Sequence, residues 1–221
     1  MRIGGEVALR PQEKTSVIYE IRTYTLSPRS TPEFERVWGE AYPIREKYSP
    51  IVGFFHTDFG PLNEVIHIWP YADLAERARI RADAASDPKW PPAVQQLILN
   101  QRVEIVTPFV FAPEWTPGND GPIYELRQYT FRGGTLPQIM KSWHEALPER
   151  MKSSKPALIG NVEFGPSANS FIHIWPYKNL EHRAEVRAKA AATGKWPPAG
   201  GEHYLSQSNK LLVPASFSPA Q

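Results

Sequence analysis

The sequence predicts an α+β protein made of tandem ferredoxin-like β-α-β-β-α-β repeats, and three observations carry that prediction. The first is an internal duplication. The segment 18–25 (IYEIRTYT) returns as 123–130 (IYELRQYT), and 65–71 (VIHIWPY) returns as 171–177 (FIHIWPY). Lys89-Trp90-Pro91-Pro92-Ala93 returns unchanged as Lys195-Trp196-Pro197-Pro198-Ala199, Trp38 matches Trp143, and Gly60-Pro61 matches Gly165-Pro166. All keep one order and nearly one spacing, as a duplicated unit must. The second observation is the same succession of strand and helix periods in both copies. The third is a turn-rich join, Pro113 to Pro122, that neither a strand nor a helix can cross. These give a flexible leader over 1–16, a first domain over 17–112, a linker over 113–121 and a second domain over 122–217.

Each element follows from its local pattern. Residues 17–25 alternate in character and are rich in β-branched and aromatic types, so they read as a strand. Thr31 is the expected N-cap of the next helix and Pro32 its first residue. Phe34, Val37, Trp38 and Ala41 make one apolar stripe at helical spacing. Pro43, like Pro148 in the copy, is expected to kink or end that helix. Residues 51–59 and 63–69 form a hairpin about Gly60-Pro61. A second helix from Asp73 carries Leu74, Ala78, Ala82 and Ala85 as its packing stripe, matched by Leu180, Ala184, Ala188 and Ala191. A short helix and a last strand near 101–111 close the unit.

Composition narrows the function class. The 25 basic and 23 acidic residues nearly cancel, so there is no electrostatic footprint for nucleic acid or an acidic membrane. With no cysteine, disulfides, thiolate metal sites and a Cys nucleophile are excluded. The 23 prolines punctuate the chain and do not gather in a disordered tail. No stretch has the length of a membrane span. Residues 1–16 hold no signal-peptide core, and Glu6 and Glu13 argue against a mitochondrial transit peptide, so a cytoplasmic protein is expected.

The candidate site comes from strand alternation. If Ile21, Ile66 and Ile68 pack on the helices, then Glu20, Arg22, Tyr24, His67 and Trp69 share the opposite face. The copy supplies Glu125, Arg127, Tyr129, His173 and Trp175. Two such sheets placed face to face enclose a partly apolar space with convergent polar groups, the usual form of a small-molecule site. His67 and His173 suit acid–base work, or are imidazoles bonded within a strand pair. Tyr24 and Tyr129 donate a proton or cap the space. Glu20 with Arg22, and Glu125 with Arg127, either hold an anionic ligand or satisfy each other as internal ion pairs. Trp69 and Trp175 pack the lining or wall a ligand. The rigid Trp-Pro-Pro corner carries no expected chemistry. Arg77, Arg79, Arg81, Arg183 and Arg187 share their helices with Glu76, Asp83 and Glu185 and read as a mixed solvent face.

There is no Gly-rich phosphate loop, nucleophile elbow or hydride-cofactor fingerprint, so no cofactor is expected. No metal site is expected either, since His56 has Asn161 as its counterpart. A haem ligand from His67 or His173 is the remaining alternative.

The opening strand (Tyr19, Glu20, Arg22, Tyr24, and again Tyr124, Glu125, Arg127, Tyr129), the His-Ile-Trp strands and the helix rich in Arg and Ala resemble the NIPSNAP family. The resemblance covers both repeats, 17–112 and 122–217. It implies membership of the dimeric α/β barrel group, with the antiparallel sheets of two units pairing into one α/β barrel, here an intramolecular pseudo-dimer or a homo-oligomer. Barrel relatives include cofactor-free monooxygenases, dehydratases, cyclases, isomerases and haem-binding proteins, and fold analogy does not choose among them. Two functions follow as expectations. One is binding of a small organic molecule in the barrel cavity by a cofactor-independent enzyme. The other is a non-catalytic interaction or scaffold module whose barrel is filled by its own side chains.

Overall fold

Alternating β-branched and aromatic residues produce strands here, and proline and glycine corners end them, in the same order twice. The computed structural model describes residues 17–167 and 169–221, so the expected leader over 1–16 lies outside the described residues. The first copy runs β1 (Ile18–Leu26), α1 (Thr31–Glu46), β2 (Gly53–Phe59), β3 (Glu64–Tyr71), α2 (Leu74–Ala85) and β4 (Ile98–Pro108). The second runs β5 (Ile123–Phe131), α3 (Leu136–Met151), β6 (Leu158–Phe164), β7 (Ser170–Tyr177), α4 (Leu180–Ala192) and β8 (Tyr204–Pro214). A 3-10 turn precedes each last strand, at Gln95–Leu97 and Gly201–His203.

Two helix details differ from the sequence reading. Ser30, not Thr31, is the N-cap of α1, with Pro32 still in its first turn. Neither Pro43 nor Pro148 ends its helix. Pro43 is exposed, so water can meet the carbonyl it leaves without a donor.

The eight strands close into one barrel in the order β1-β3-β2-β8-β5-β7-β6-β4. Closure is reciprocal. The last strand of each half seals the open hairpin edge of the other, Val106 opposite Val162 between β4 and β6 and His56 opposite Val213 between β2 and β8. The pseudo-dimer is therefore built within one chain, and the barrel edges are covered.

The strand faces divide as alternation predicts, but they lie on the opposite sides. Ile21, Ile66 and Ile68 do not pack on helices. They join Tyr19, Val106, Tyr124, Leu126, Ile172, Ile174 and Leu212 in a single core shared by both halves inside the barrel. The face with Glu20, Arg22, Tyr24, His67 and Trp69 is turned outward, beneath α1 and α2. The enclosed polar space common to both halves is thus replaced by a filled apolar core. Its polar residues are paired across the halves: Lys210 bonds Glu64, and Gln128 donates to Glu104 at 2.7 Å.

The α2 packing stripe is corrected as well. Leu74, Ala78, Ala82 and Ala85 are exposed, and Ile80 and Ala84 are the buried pair. In α4, Leu180, Ala184, Ala188 and Ala191 are exposed, with Val186 and Ala190 buried.

Each half also lends its tail to the other. Phe109 and Ala112 enter the core around α3, while Ala215 and Phe217 enter the core around α1. Phe217 stacks on Trp38 at 6.0 Å, and Phe54 N–H donates to Ser218 Oγ at 3.0 Å. A Cβ at Gly39 would stand 2.7 Å from the Phe217 ring, so glycine there is what admits the tail. A chain ending at Pro214 is therefore expected to lose about 3 kcal/mol, the burial of roughly two apolar side chains. Amide exchange should report the loss first in α1 and β2; unchanged protection in those elements would contradict the interlock.

Candidate functional site

On the outward face of β1, three residues two apart point the same way under the helices. Glu20 is wholly buried, and three guanidinium groups converge on its Oε1: Arg22 Nη1 at 2.9 Å, Arg77 Nη2 at 2.6 Å and Arg81 Nη1 at 3.6 Å. Arg22 Nε also donates to Tyr24 Oη at 3.0 Å. The second half repeats this. Glu125 accepts from Arg127 at 2.8 Å and takes a two-pronged contact from Arg183 at 2.7 and 3.0 Å, with Arg187 at 3.9 Å. Asn209 adds a bond to Glu125 at 3.0 Å. Burial alone would raise the Glu125 carboxyl. The Arg183 hydrogen bonds and the surrounding guanidinium charges outweigh it and hold the group at about 2. Glu20 is lowered in the same way, against its own burial, by Arg77, Arg81 and Arg22.

The arginines of α2 and α4 therefore form the expected solvent face only in part. Arg77 and Arg81, one turn apart, reach down onto Glu20, as Arg183 and Arg187 do onto Glu125. Arg79, on the other side of α2, is the solvent-facing one.

His67 and His173 sit beside these clusters on β3 and β7, each 2% exposed. In both, Nδ1 accepts the indole N–H two residues on, from Trp69 and Trp175, at 2.6 Å. With Nδ1 an acceptor, the neutral ring carries its proton on Nε2, and that atom has no partner among the described residues. Burial, then the charges of Arg22, Arg81 and Arg45, push His67 well below its ordinary value. Burial, then Arg127, does the same to His173, with Arg187 and Arg150 adding to it and Glu125 opposing. These imidazoles are neutral N–H donors. A general base needs a free acceptor nitrogen, and the indoles occupy it.

One arginine per half lies outside the carboxylate clusters. Arg45, at the end of α1, is 3% exposed, lies 4.1 Å over the Trp69 ring and donates to Tyr71 Oη at 3.1 Å and to Ser49. Arg150 of α3 does the same over Trp175, at 4.2 Å, with Tyr177. Neither is paired to a carboxylate among the described residues.

These side chains surround two cavities. The first, about 270 Å³, is lined by Arg22, Tyr24, Arg45, His67 and Arg81 under the rings of Trp38, Trp69 and Trp90. The second, about 250 Å³, is lined by Arg127, Tyr129, Arg150, His173 and Arg187 under Trp143, Trp175 and Trp196. Each half thus gathers three arginines on one glutamate and a fourth beside them without a carboxylate, and the excess positive charge faces a ring-walled pocket. Such a pocket can hold an anion and stabilise negative charge on oxygen. Among the described residues, no three His, Asp or Glu side chains cluster as a metal site would need. No helix among them is long and apolar enough to cross a membrane.

The repeated barrel and its sequence together decide the family. The NIPSNAP family model matches residues 19–113 and again 124–219. The chain belongs to the NIPSNAP family. Among NIPSNAP relatives, protein NipSnap homolog 3B of Homo sapiens is 29% identical over 230 residues, spanning 99% of this chain and 92% of that protein. The Dictyostelium discoideum NipSnap homolog is 30% identical over 207 residues, covering 90% of this chain and 88% of its own. A proposed monooxygenase from Lactobacillus acidophilus superposes with a TM-score of 0.66 over 91% of this chain and 95% of its own, at 16% identity. At that identity the likeness concerns the fold.

Within this NIPSNAP chain, all ten residues singled out from the sequence lie at the two clusters, five in each half. They do not meet in one cavity. Sequence reasoning missed Arg45 and Arg150, the pocket role of Arg81 and Arg187, and the walls made by Trp38, Trp90, Trp143 and Trp196. A signal for the missed arginines was present: Arg45 extends the stripe Phe34, Trp38, Ala41 by one more turn, and Arg77 and Arg81 flank Ile80 on the buried side of α2.

Proposed function

We propose that this NIPSNAP protein binds a small organic anion in the pocket beneath the helices of each half. The observation that carries this reading is Arg45 and its copy Arg150, buried guanidinium groups without a carboxylate partner, each beside an imidazole Nε2–H that donates to nothing. A buried cation without a counter-ion costs several kcal/mol, and an anionic ligand would offset that cost while accepting the idle N–H. Aromatic walls favour a ligand with a flat apolar body. The pocket is rich in donors and poor in bases, which suits stabilising a carboxylate or an enolate-like oxygen without a cofactor. A cytoplasmic setting belongs to the same proposal, rests on the acidic residues Glu6 and Glu13, and is tested by imaging the tagged chain.

A second reading is a non-catalytic interaction module. It is supported by the self-filled barrel and by exposed Leu74 and Leu180 on the outer helices, 45% and 51% accessible. One comparison separates the two. Small aromatic carboxylates at millimolar concentration should raise the Tm of the wild type by about 3 °C or more, with His67→Ala/His173→Ala responding less. No shift with any acid, together with partner capture that survives the double substitution but not Leu74→Asp/Leu180→Asp, would favour the interaction module.

A further inference from the structure

Resting on the anion-pocket reading, we propose that the two pockets are not equivalent, and that the first-half pocket is the tighter site for a planar aromatic carboxylate. The difference lies at one position of the repeat. The last strand opens with Ile98 in β4 and with Tyr204 in β8, paired to Leu26 and Phe131 in the same register. Both residues line their pocket.

In the second half, Trp143 Nε1–H donates to Tyr204 Oη at 3.0 Å. Ile98 has no acceptor to offer, and Trp38 Nε1–H has no hydrogen-bond partner among the described residues. The first pocket is therefore lined by two neighbouring rings whose N–H groups bond nothing among the described residues, the His67 imidazole with its Nε2 buried and the Trp38 indole, their centroids 5.1 Å apart. A carboxylate has two acceptor oxygens and fits such a pair. In the second pocket the imidazole of His173 keeps its idle N–H, but the indole is already used. The Tyr204 ring, 5.2 Å from Tyr129, stands where the first pocket has a smaller aliphatic side chain.

The neighbouring carboxylates also differ between the halves, by an acceptor and not by a donor. Glu125 has both oxygens bonded, with Asn209 completing the set, whereas Glu20 keeps one oxygen unpartnered, and Val103 stands where Asn209 does. Both halves keep an idle imidazole N–H, and the donor that differs is the indole, bonded to Tyr204 in the second half and left for a ligand in the first. One further hydrogen bond to a charged acceptor corresponds to about tenfold in affinity or more.

The indoles themselves report the answer. In the uniformly 15N-labelled full chain, the Nε1–H cross-peaks of Trp38 and Trp143 are assigned through Trp38→Phe and Trp143→Phe and followed during titration with sodium 2-naphthoate and, separately, sodium phosphate. The expected result is a Trp38 response to naphthoate at a concentration about tenfold below that of Trp143, with a weaker preference for phosphate. Tyr204→Phe, which keeps the ring and frees the Trp143 indole, should bring the two half-saturation points together, and Ile98→Tyr should raise that of Trp38. Coincident titration of both indoles in the wild type, or Trp143 responding first, overturns the inference while leaving anion binding in place. If neither probe moves either cross-peak, both the inference and the reading beneath it fail.

Discussion

Replacing Glu125 by glutamine is expected to cost about 3–5 kcal/mol of folding stability, the range for stranding a buried charge. The side chain is 1% exposed and is the shared counter-ion of Arg127, Arg183 and Arg187. Glutamine keeps the volume and some of the hydrogen bonding but removes the charge, leaving these three cations with Arg150 nearby and nothing to balance them. Urea unfolding at neutral pH measures the loss, and a change below about 1 kcal/mol would show that solvent already screens the cluster. The same group sets the acid limb. Its carboxyl is held at about 2 in the folded chain against an ordinary 4.5. Its stabilising contribution is therefore complete above pH 4.5 and is lost as pH falls toward 2. The two imidazoles act in the same direction at higher pH. Both are held well below their ordinary 6.5, so below 6.5 the unfolded chain takes up protons that the folded chain refuses. Stability should fall in two stages on acidification, the first near pH 6 and the second below 4.5. Glu125→Gln should shrink the second stage, to which the likewise lowered Glu20 still contributes, and His67→Phe/His173→Phe should flatten the first.

How far the sequence reveals this arrangement depends on which property is asked of it. Repetition and strand period are local, and they recover the element order, the duplication and the grouping of Glu20, Arg22, Tyr24, His67 and Trp69 on one face. The side on which that face lies is not local. Alternation separates inside from outside only where one face meets water, and here both are covered, one by the barrel core and one by the helices. A cover of Ile and Leu over a buried glutamate would be prohibitive. The helices can lie on the polar face only because Arg77 and Arg81, or Arg183 and Arg187, descend from them to meet the carboxylate. The helix arginines and the strand glutamate are thus one feature split across about sixty positions of chain. The tail exchange is hidden for a related reason. Phe109 and Phe111 after β4, and Phe217 after β8, follow the ends of their strands, and nothing in their own neighbourhood says that their core belongs to the other half.

Arg45→Met, with Arg150→Met, separates a group kept for stability from one kept for a ligand, because the two roles predict opposite signs. Methionine fills a comparable apolar volume along the Trp69 and Trp175 faces and removes a cation that no carboxylate in its half is paired with. Exchanging buried charge for well-packed apolar volume is often neutral or stabilising by about 1–4 kcal/mol. Lost contacts to the Tyr71 and Tyr177 hydroxyls and to the indole faces act against this, by about 1–2 kcal/mol together. The ligand-free double variant is therefore expected within about 1 kcal/mol of the wild type, or above it. The response to an aromatic carboxylate should nonetheless fall by about a hundredfold in affinity, since the removed charge-assisted contact corresponds to about 2–3 kcal/mol. Chemical unfolding without ligand and calorimetric titration with it give the two numbers independently. A loss of 3 kcal/mol or more in the first, with binding intact in the second, would make these arginines structural pillars of the two outer cores. Preserved stability with abolished binding would mean that the chain keeps a destabilising cation in each half for the sake of what enters the pocket.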